Sequence, residues 1–245
     1  MIKRFFYLKF ILILAIITIV TIPLFSFSGR VYAQNTPTIT EFPSRGGLWD
    51  ITSGPDGNLW FTASDDSNMI GRISPDGIIT DFLLPTYGSH PLGITSGPDG
   101  NLWFTESGGN KIGRITPNGT ITEFQISTDY KRPLYITSGP DANLWFTEYA
   151  RNNIARLTLD GIFTEFAVPT RNSGPGDIIT GPDGNIWFTE FFGNKIGWIS
   201  TNGIITEFII PTINSRPYSI TSGPDGNLWF TESSGNKIGR ITPEG

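Results

Sequence analysis

Apolar and polar residues along this chain form short runs that recur at a nearly constant interval. Each run has the length and the β-branched or aromatic content of a β-strand, and Gly-Pro-Asp-Gly or Pro-Asn-Gly turns separate the runs. In one interval the predicted strands are 92–96, 101–106, 111–116 and 120–126. The pattern therefore predicts four antiparallel strands per interval, joined by tight turns.

The interval is marked by the segment Gly-Pro-Asp-Gly-Asn-Leu-Trp-Phe-Thr-Glu at 97–106. It returns at 139–148, 181–190 and 223–232, with a looser copy at 54–63. Its tryptophans, from Trp60 to Trp229, are 43, 42, 42 and 42 residues apart. A period of about 40–45 residues with four short strands is typical of a β-propeller blade. We expect an all-β fold, a β-propeller of about five four-stranded antiparallel blades.

The Leu-Trp-Phe run of each copy is apolar at consecutive positions. A strand with one wet face alternates apolar and polar residues, whereas a strand covered on both faces does not. We expect these aromatic residues to pack between neighbouring blades, and their Gly-Pro-Asp-Gly aspartates to be turn residues.

The two ends of the repeat region complement each other. Thr-Ile-Thr-Glu-Phe at 38–42 matches a fourth strand, and the last repeat at 217–245 has the other three. Pairing of this N-terminal outer strand with the last blade would close a five-bladed ring and remove an exposed edge. The alternative is that the repeats form part of a longer array.

The first 33 residues are predicted to lie outside the fold. Lys3, Arg4 and Lys9 precede an uncharged apolar stretch, and Val-Tyr-Ala at 31–33 resembles a secretory cleavage site. We expect residues 1–33 to be a signal peptide, or alternatively an uncleaved N-terminal membrane anchor. Residues 34–245 would then be an exported propeller domain, secreted or extracytoplasmic.

The charge composition indicates which classes of molecule the chain is expected not to bind. Without the leader, the chain has 13 basic and 22 acidic residues, a net charge of −9, and it has no cysteine. An acidic surface without a basic run argues against nucleic acid and against binding to anionic membranes. We expect a monomer that meets a membrane only if its leader is retained.

Comparison of the copies separates constant turns from variable loops. The loops between the fourth and first strands, and between the second and third, open on one face of a propeller, and here they differ in every copy. They are rich in aromatic residues and arginine, which suits a binding surface for a small molecule, peptide or glycan, although sequence drift is the alternative. The candidate binding residues are Trp49, Tyr87, Arg132, Tyr135, Tyr149, Phe191, Phe192, Arg216 and Tyr218.

Four glutamates recur at the end of the second strand, namely Glu106, Glu148, Glu190 and Glu232. Three of them have a lysine five residues later, which predicts exposed Glu–Lys pairs such as Glu106 with Lys111. Alternatively, the four carboxylates converge on the propeller axis and hold Mg²⁺ or another divalent cation.

The units "GPDGNLWFTE…GNKIGRITP.G.ITEF" resemble the repeats of the streptogramin B lyase (virginiamycin B lyase) family from residue 38 to the end. The resemblance implies elimination-type opening of a cyclic depsipeptide at its ester, with a histidine as base and a glutamate-bound magnesium ion near the axis. It also implies seven blades, whereas this sequence contains five repeats.

The histidine of this family follows a proline just before the innermost strand. The matching positions here are Trp49, Leu92, Leu134, Gly176 and Tyr218, and none is histidine. The single histidine, His90, precedes Pro91 and is the one candidate general base. The sequence thus favours a ligand-binding propeller, with a magnesium-dependent lyase or a lactone or ester hydrolase as the alternative.

Overall fold

The computed structural model describes residues 39–126 and 130–245. All strands lie in the unit Phe42–Gly245, whereas only residues 39–41 of the unit Met1–Glu41 are described. The predicted leader therefore lies outside the described residues, and its cleavage stays a prediction. Within the described ranges, no helix is long and apolar enough to span a bilayer.

Over the described ranges, nineteen strands form five antiparallel sheets, each in chain order. Blade 1 has β1 (Leu48–Ser53), β2 (Leu59–Ala63), β3 (Met69–Ile73) and β4 (Ile79–Leu83). Blade 2 has β5 (Pro91–Ser96), β6 (Leu102–Glu106), β7 (Lys111–Ile115) and β8 (Ile121–Gln125). Blade 3 has β9 (Pro133–Ser138), β10 (Leu144–Glu148), β11 (Asn153–Leu157) and β12 (Phe163–Ala167). Blade 4 has β13 (Pro175–Thr180), β14 (Ile186–Glu190), β15 (Lys195–Ile199) and β16 (Ile205–Ile209). Blade 5 has β17 (Pro217–Ser222), β18 (Leu228–Glu232) and β19 (Lys237–Ile241). The predicted all-β, blade-by-blade architecture is confirmed.

The Gly-Pro-Asp-Gly turn is tied to the tryptophan that follows it. In blade 2 the indole nitrogen of Trp103 donates to Asp99 Oδ1 at 3.0 Å, and the backbone N–H of Asn101 donates to the same oxygen at 3.2 Å. The same Trp–Asp bond recurs in the other four blades. The aspartate is thus a turn residue, as predicted, and it also satisfies the indole N–H of a tryptophan with no exposed surface.

Neighbouring blades share their aromatic walls. The first strands β1, β5, β9, β13 and β17 contact one another in chain order. One core cluster joins Trp103 and Ile112 of blade 2 to Leu144 and Phe146 of blade 3, and similar clusters join the other neighbours. The Leu-Trp-Phe strands are therefore dry on both faces in the interior blades, as the sequence predicted.

A phenylalanine of each fourth strand also packs on the hairpin glycine of the next blade. Gly119 has φ +89°, and a Cβ at this position would lie 2.3 Å from the ring of Phe82. The site therefore needs glycine both for its backbone conformation and for the close approach. Phe42 packs in the same way against Gly77 of blade 1.

The predicted closure by an N-terminal strand is not observed. Residues 39–42 form no strand, and within the described chain the last sheet contains only β17, β18 and β19. Phe42 packs on blade 1 in the way that a fourth-strand phenylalanine packs on the next blade. A strand at this place could belong to the sheet of blade 5 only if blades 5 and 1 were neighbours. Blade 1 and blade 5 each leave an apolar face open: Ile51 is 58% exposed and Ile238 is 71% exposed, although their counterparts in blade 2, Ile94 and Ile112, are buried.

Candidate ligand-binding site

Aromatic residues from four blades meet at one end of the first strands. A pocket of about 130 Å³, here called the axial pocket, is lined by Trp49, Leu92, Leu134, Tyr135, Tyr149, Gly176, Phe191, Pro217 and Tyr218. The hydroxyl of Tyr135 donates to that of Tyr218 at 3.2 Å, although the two residues are 83 positions apart. The repeat thus brings five of the predicted binding residues, from blades 1, 3, 4 and 5, to a single pocket.

The remaining members of the set extend this pocket outward. Phe192 lies 4.9 Å from Phe191 and 6.3 Å from Tyr149, measured between ring centroids. The guanidinium of Arg132 stacks over Tyr149 at 5.4 Å, and that of Arg216 over Phe191 at 5.6 Å. We call the rings of Trp49, Tyr135, Tyr149, Phe191, Phe192 and Tyr218 the aromatic cluster.

Tyr87 is the one predicted binding residue that does not join the others. Its side chain is 98% exposed and lines no part of the axial pocket. Tyr87 lies on the loop between blades 1 and 2, whereas the ring contacts of the cluster are made by blades 3, 4 and 5.

Burial raises the pKa values of two groups in and beside the axial pocket, Tyr135 and Asp177. Burial, and then the hydrogen bond with Tyr218, raises the pKa of Tyr135, so its phenol is a neutral hydrogen-bonding group at physiological pH. Burial also raises the pKa of Asp177, whose Oδ2 accepts the Ser219 hydroxyl and the Ile220 N–H, both at 2.9 Å. Asp177 therefore holds blades 4 and 5 together.

His90 is held outside this pocket. It precedes Pro91 as Arg132 and Arg216 precede Pro133 and Pro217, and it shares their positive φ, 46° against 54° and 50°. Its Nδ1 lies 2.6 Å from the carbonyl oxygen of Ser64, so one ring nitrogen is occupied. A role for His90 as a base stays a prediction.

The recurring glutamates lie inside separate blades. Glu106, Glu148 and Glu190 have no exposed surface and Glu232 is 7% exposed. Among the described residues, no group of three or more His, Cys, Asp or Glu has the arrangement of a metal site. Within the described ranges the four glutamates form no such group, and the predicted cation site stays a prediction.

The predicted exposed pair of Glu106 and Lys111 is wrong. Lys111 Nζ instead contacts Glu123 Oε2 of the fourth strand at 2.5 Å, and Lys195 pairs with Glu207 in the same way at 2.7 Å. Burial, and then repulsion by Glu123, raises the pKa of Glu106 to about 7. Sequence spacing could not predict the pairing of Lys111 with Glu123, because Glu123 lies on the neighbouring strand β8.

Comparison with known proteins agrees with this architecture. The model of the virginiamycin B lyase family matches residues 26–245. The chain belongs to the virginiamycin B lyase family.

Solved structures of virginiamycin B lyases superpose closely on the chain. A catalytically inactive histidine-to-alanine variant from Staphylococcus aureus, solved with quinupristin, is 49% identical, with a TM-score of 0.81; the match covers 86% of this chain and 72% of that one. A streptogramin B lyase structure is 43% identical with a TM-score of 0.77, and the match covers 80% and 66% of the two chains.

A curated virginiamycin B lyase from Bordetella parapertussis is 43% identical over 61 residues, which is 24% of this chain. The match spans only 20% of the length of that relative. The family assignment therefore rests on the family model and the solved structures.

The positions at which virginiamycin B lyase repeats imply a histidine converge in this family member. Trp49, Leu92, Leu134, Gly176 and Tyr218 all line the axial pocket. Sequence reasoning did not propose Leu92, Leu134 or Gly176 as pocket residues, although their shared place after the proline of each repeat was a usable signal. These five positions therefore share one pocket, and none of them carries an imidazole.

Proposed function

We propose that this virginiamycin B lyase family member is an exported propeller that binds a small molecule or peptide-like ligand on the aromatic cluster. The observation that carries the proposal is the convergence of eight of the nine predicted binding residues on the axial pocket and its margin. Drift in unconstrained loops would scatter such residues rather than stack them.

The cluster is suited to bind rings or apolar side chains. Trp49, Phe192 and Tyr218 are each about half exposed although they are large and apolar. Aromatic residues present much contact area with few rotatable bonds, which lowers the entropy cost of binding. Covering one such face contributes about 25 cal/mol for each Å² of apolar area removed from water.

Quinupristin is the first ligand to test, because a similar lyase was solved with it. We expect the purified chain to bind quinupristin in isothermal titration calorimetry, and Phe192→Ala to weaken binding about tenfold or more, because truncating an aromatic anchor typically costs more than 1 kcal/mol. Tyr87→Ala is the matched control, since Tyr87 is an exposed aromatic on the same type of loop outside the cluster. Equal effects of the two substitutions would contradict the site, and absence of binding by any streptogramin or related peptide would contradict the proposal.

A magnesium-dependent lyase, or a lactone or ester hydrolase, is the second candidate, and family membership favours it. None of the five positions that match the family's histidine, namely Trp49, Leu92, Leu134, Gly176 and Tyr218, is histidine. His90 is hydrogen-bonded outside the pocket. We therefore expect quinupristin to remain intact when incubated with the chain and Mg²⁺, as followed by mass spectrometry. Ring opening that stops with EDTA and in His90→Ala would establish the lyase instead.

A further inference from the structure

The contacts of Arg216 differ from those of the arginines on the third strands. The third-strand arginines stack on the repeat tryptophan and lie 3.6–4.0 Å from the turn aspartate. They are Arg72, Arg114, Arg156 and Arg240. Arg216, on the loop between blades 4 and 5, stacks on Phe191 but has no ion-pair partner within the described part of the chain. Arg216 thus retains an uncompensated positive charge in an acidic protein.

Arg216 faces a second cavity that adjoins the axial pocket. This rim pocket has a volume of about 490 Å³ and is lined by Phe191, Phe192, Asn194, Asn214, Arg216 and Ser234. Phe191 belongs to both pockets. A ligand that places a ring on the aromatic cluster therefore extends directly toward the guanidinium.

The polar groups of the rim pocket differ in availability. The amide of Asn194 is already used, because its oxygen accepts from Ser215 at 2.6 and 2.8 Å and its nitrogen donates to Ile210 O at 2.9 Å. Arg216, Asn214 and Ser234 remain as groups that can face a ligand, and each can donate a hydrogen bond. A donor-rich pocket with one cation suits an anionic oxygen ligand.

The backbone of Arg216 is fixed before any ligand arrives. Its φ is +50°, a conformation that L-residues adopt at a cost, and its carbonyl accepts from Ser233 N at 3.1 Å and Ser233 Oγ at 2.7 Å. The guanidinium carbon lies 5.6 Å from the centroid of the Phe191 ring. A guanidinium that packs on a ring face keeps its edge of N–H donors available to an acceptor. A carboxylate matches that edge with two parallel hydrogen bonds.

We propose that the rim pocket recognises a carboxylate on the ligand whose ring or apolar side chain lies on the aromatic cluster, so that the chain prefers an aromatic residue with a free carboxyl end. The inference rests on the proposed ligand-binding function and adds to it the charge of the ligand. Arg216 would distinguish a carboxylate from a neutral group, and Asn214 and Ser234 would supply the other hydrogen-bond donors of the rim pocket.

The test compares two probes that differ only in charge, N-acetyl-phenylalanyl-phenylalanine and its C-terminal amide, titrated into the chain by NMR. We expect the free acid to bind about tenfold more tightly than the amide, and this preference to shrink as salt is raised, because charge-assisted hydrogen bonds to carboxylates are stronger than neutral ones. Arg216→Asn should bring the affinities for the acid and the amide to a ratio of about one, because it removes the guanidinium while asparagine still tolerates the positive φ of this position.

Arg171→Asn is the matched control, since Arg171 is an exposed loop arginine that does not line the rim pocket. It should keep the preference for the acid, and unchanged thermal unfolding of both variants shows that they are folded. Equal binding of acid and amide by the unmodified chain would overturn the carboxylate inference alone. Binding of neither probe would count against the aromatic site itself, and with it the proposed function.

Discussion

The repeat places glutamates at buried strand positions, where an alternation of apolar and polar residues would leave them exposed. Glu106 and Glu190 have no exposed surface, and burial, followed by repulsion from a fourth-strand glutamate, raises the pKa of each to about 7. Blade 1 avoids this cost, because Ala63 and Met69 stand where blade 2 has Glu106 and Lys111. Burial of these glutamates could not be predicted from sequence, since strand-terminal glutamates are ordinarily exposed.

The raised pKa of Glu106 predicts a specific pH dependence of stability. The unfolded carboxyl ionises near 4.5, whereas the folded one keeps its proton until about 7, so the free energy of unfolding falls as pH rises between these values. Glu106→Gln should be more stable than the unmodified chain at pH 8, by about 1–3 kcal/mol, and should lose its advantage at pH 5. Urea denaturation at both pH values measures this. Because Glu190 has a raised pKa of the same size, Glu190→Gln should behave alike, and an unchanged pH slope in both variants would show that these groups are ionised in the folded state at pH 5.

At the scale of the strand and the blade, the sequence was a reliable guide. The predicted strands of the second repeat agree with β5 to β8 to within one residue at each end. Turn residues with a fixed backbone requirement, such as Gly119 at φ +89°, set the strand ends locally. Of the strand predicted at 38–42, the described residues 39–42 form none. Pairing of an outer strand with a distant sheet is not determined by local residues.

The outer edge of β19 provides a prediction at this scale. β15 is paired on both sides, with β14 and β16, whereas β19 pairs only with β18 within the described chain. Amides of β19 that correspond to those bonding β15 to β16 should therefore exchange with deuterium much faster, as measured by NMR or mass spectrometry. The amides that join β18 to β19 serve as the internal control. Equal protection of both edges of β19 would mean that another strand covers this edge in solution.

At the scale of the whole molecule, the angle between successive blades decides which loops lie next to each other. The variable loops were predicted from the sequence to form a binding surface, and all of the candidate residues but Tyr87 lie close together. Contacts such as the one between Tyr135 and Tyr218 depend on the angle between successive blades, which the sequence of a single repeat does not specify. For the same reason, the sequence does not predict the rim pocket beside Arg216, because residues of blades 4 and 5 line it together.

Because the cluster draws on several blades, a bound ligand should stabilise the propeller as a unit. At a ligand concentration of about 100 times Kd, the gain is about 2.7 kcal/mol, which raises Tm by about 5–10 °C for a domain of this size. Differential scanning calorimetry with quinupristin measures the shift. Phe192→Ala should lose most of the shift at the same concentration and Tyr87→Ala should retain it; a rise confined to one part of a multiphase transition would show that the blades unfold separately.

The packing of each fourth-strand phenylalanine on the next hairpin glycine has a consequence for how such a chain can change its size. Every blade offers the same pair of matching sides, so an extra copy of a 42-residue cassette inserted between two existing ones would meet surfaces that it already fits. Growth by duplication then requires no new core, and the loops of the added copy are free to diversify what the protein recognises.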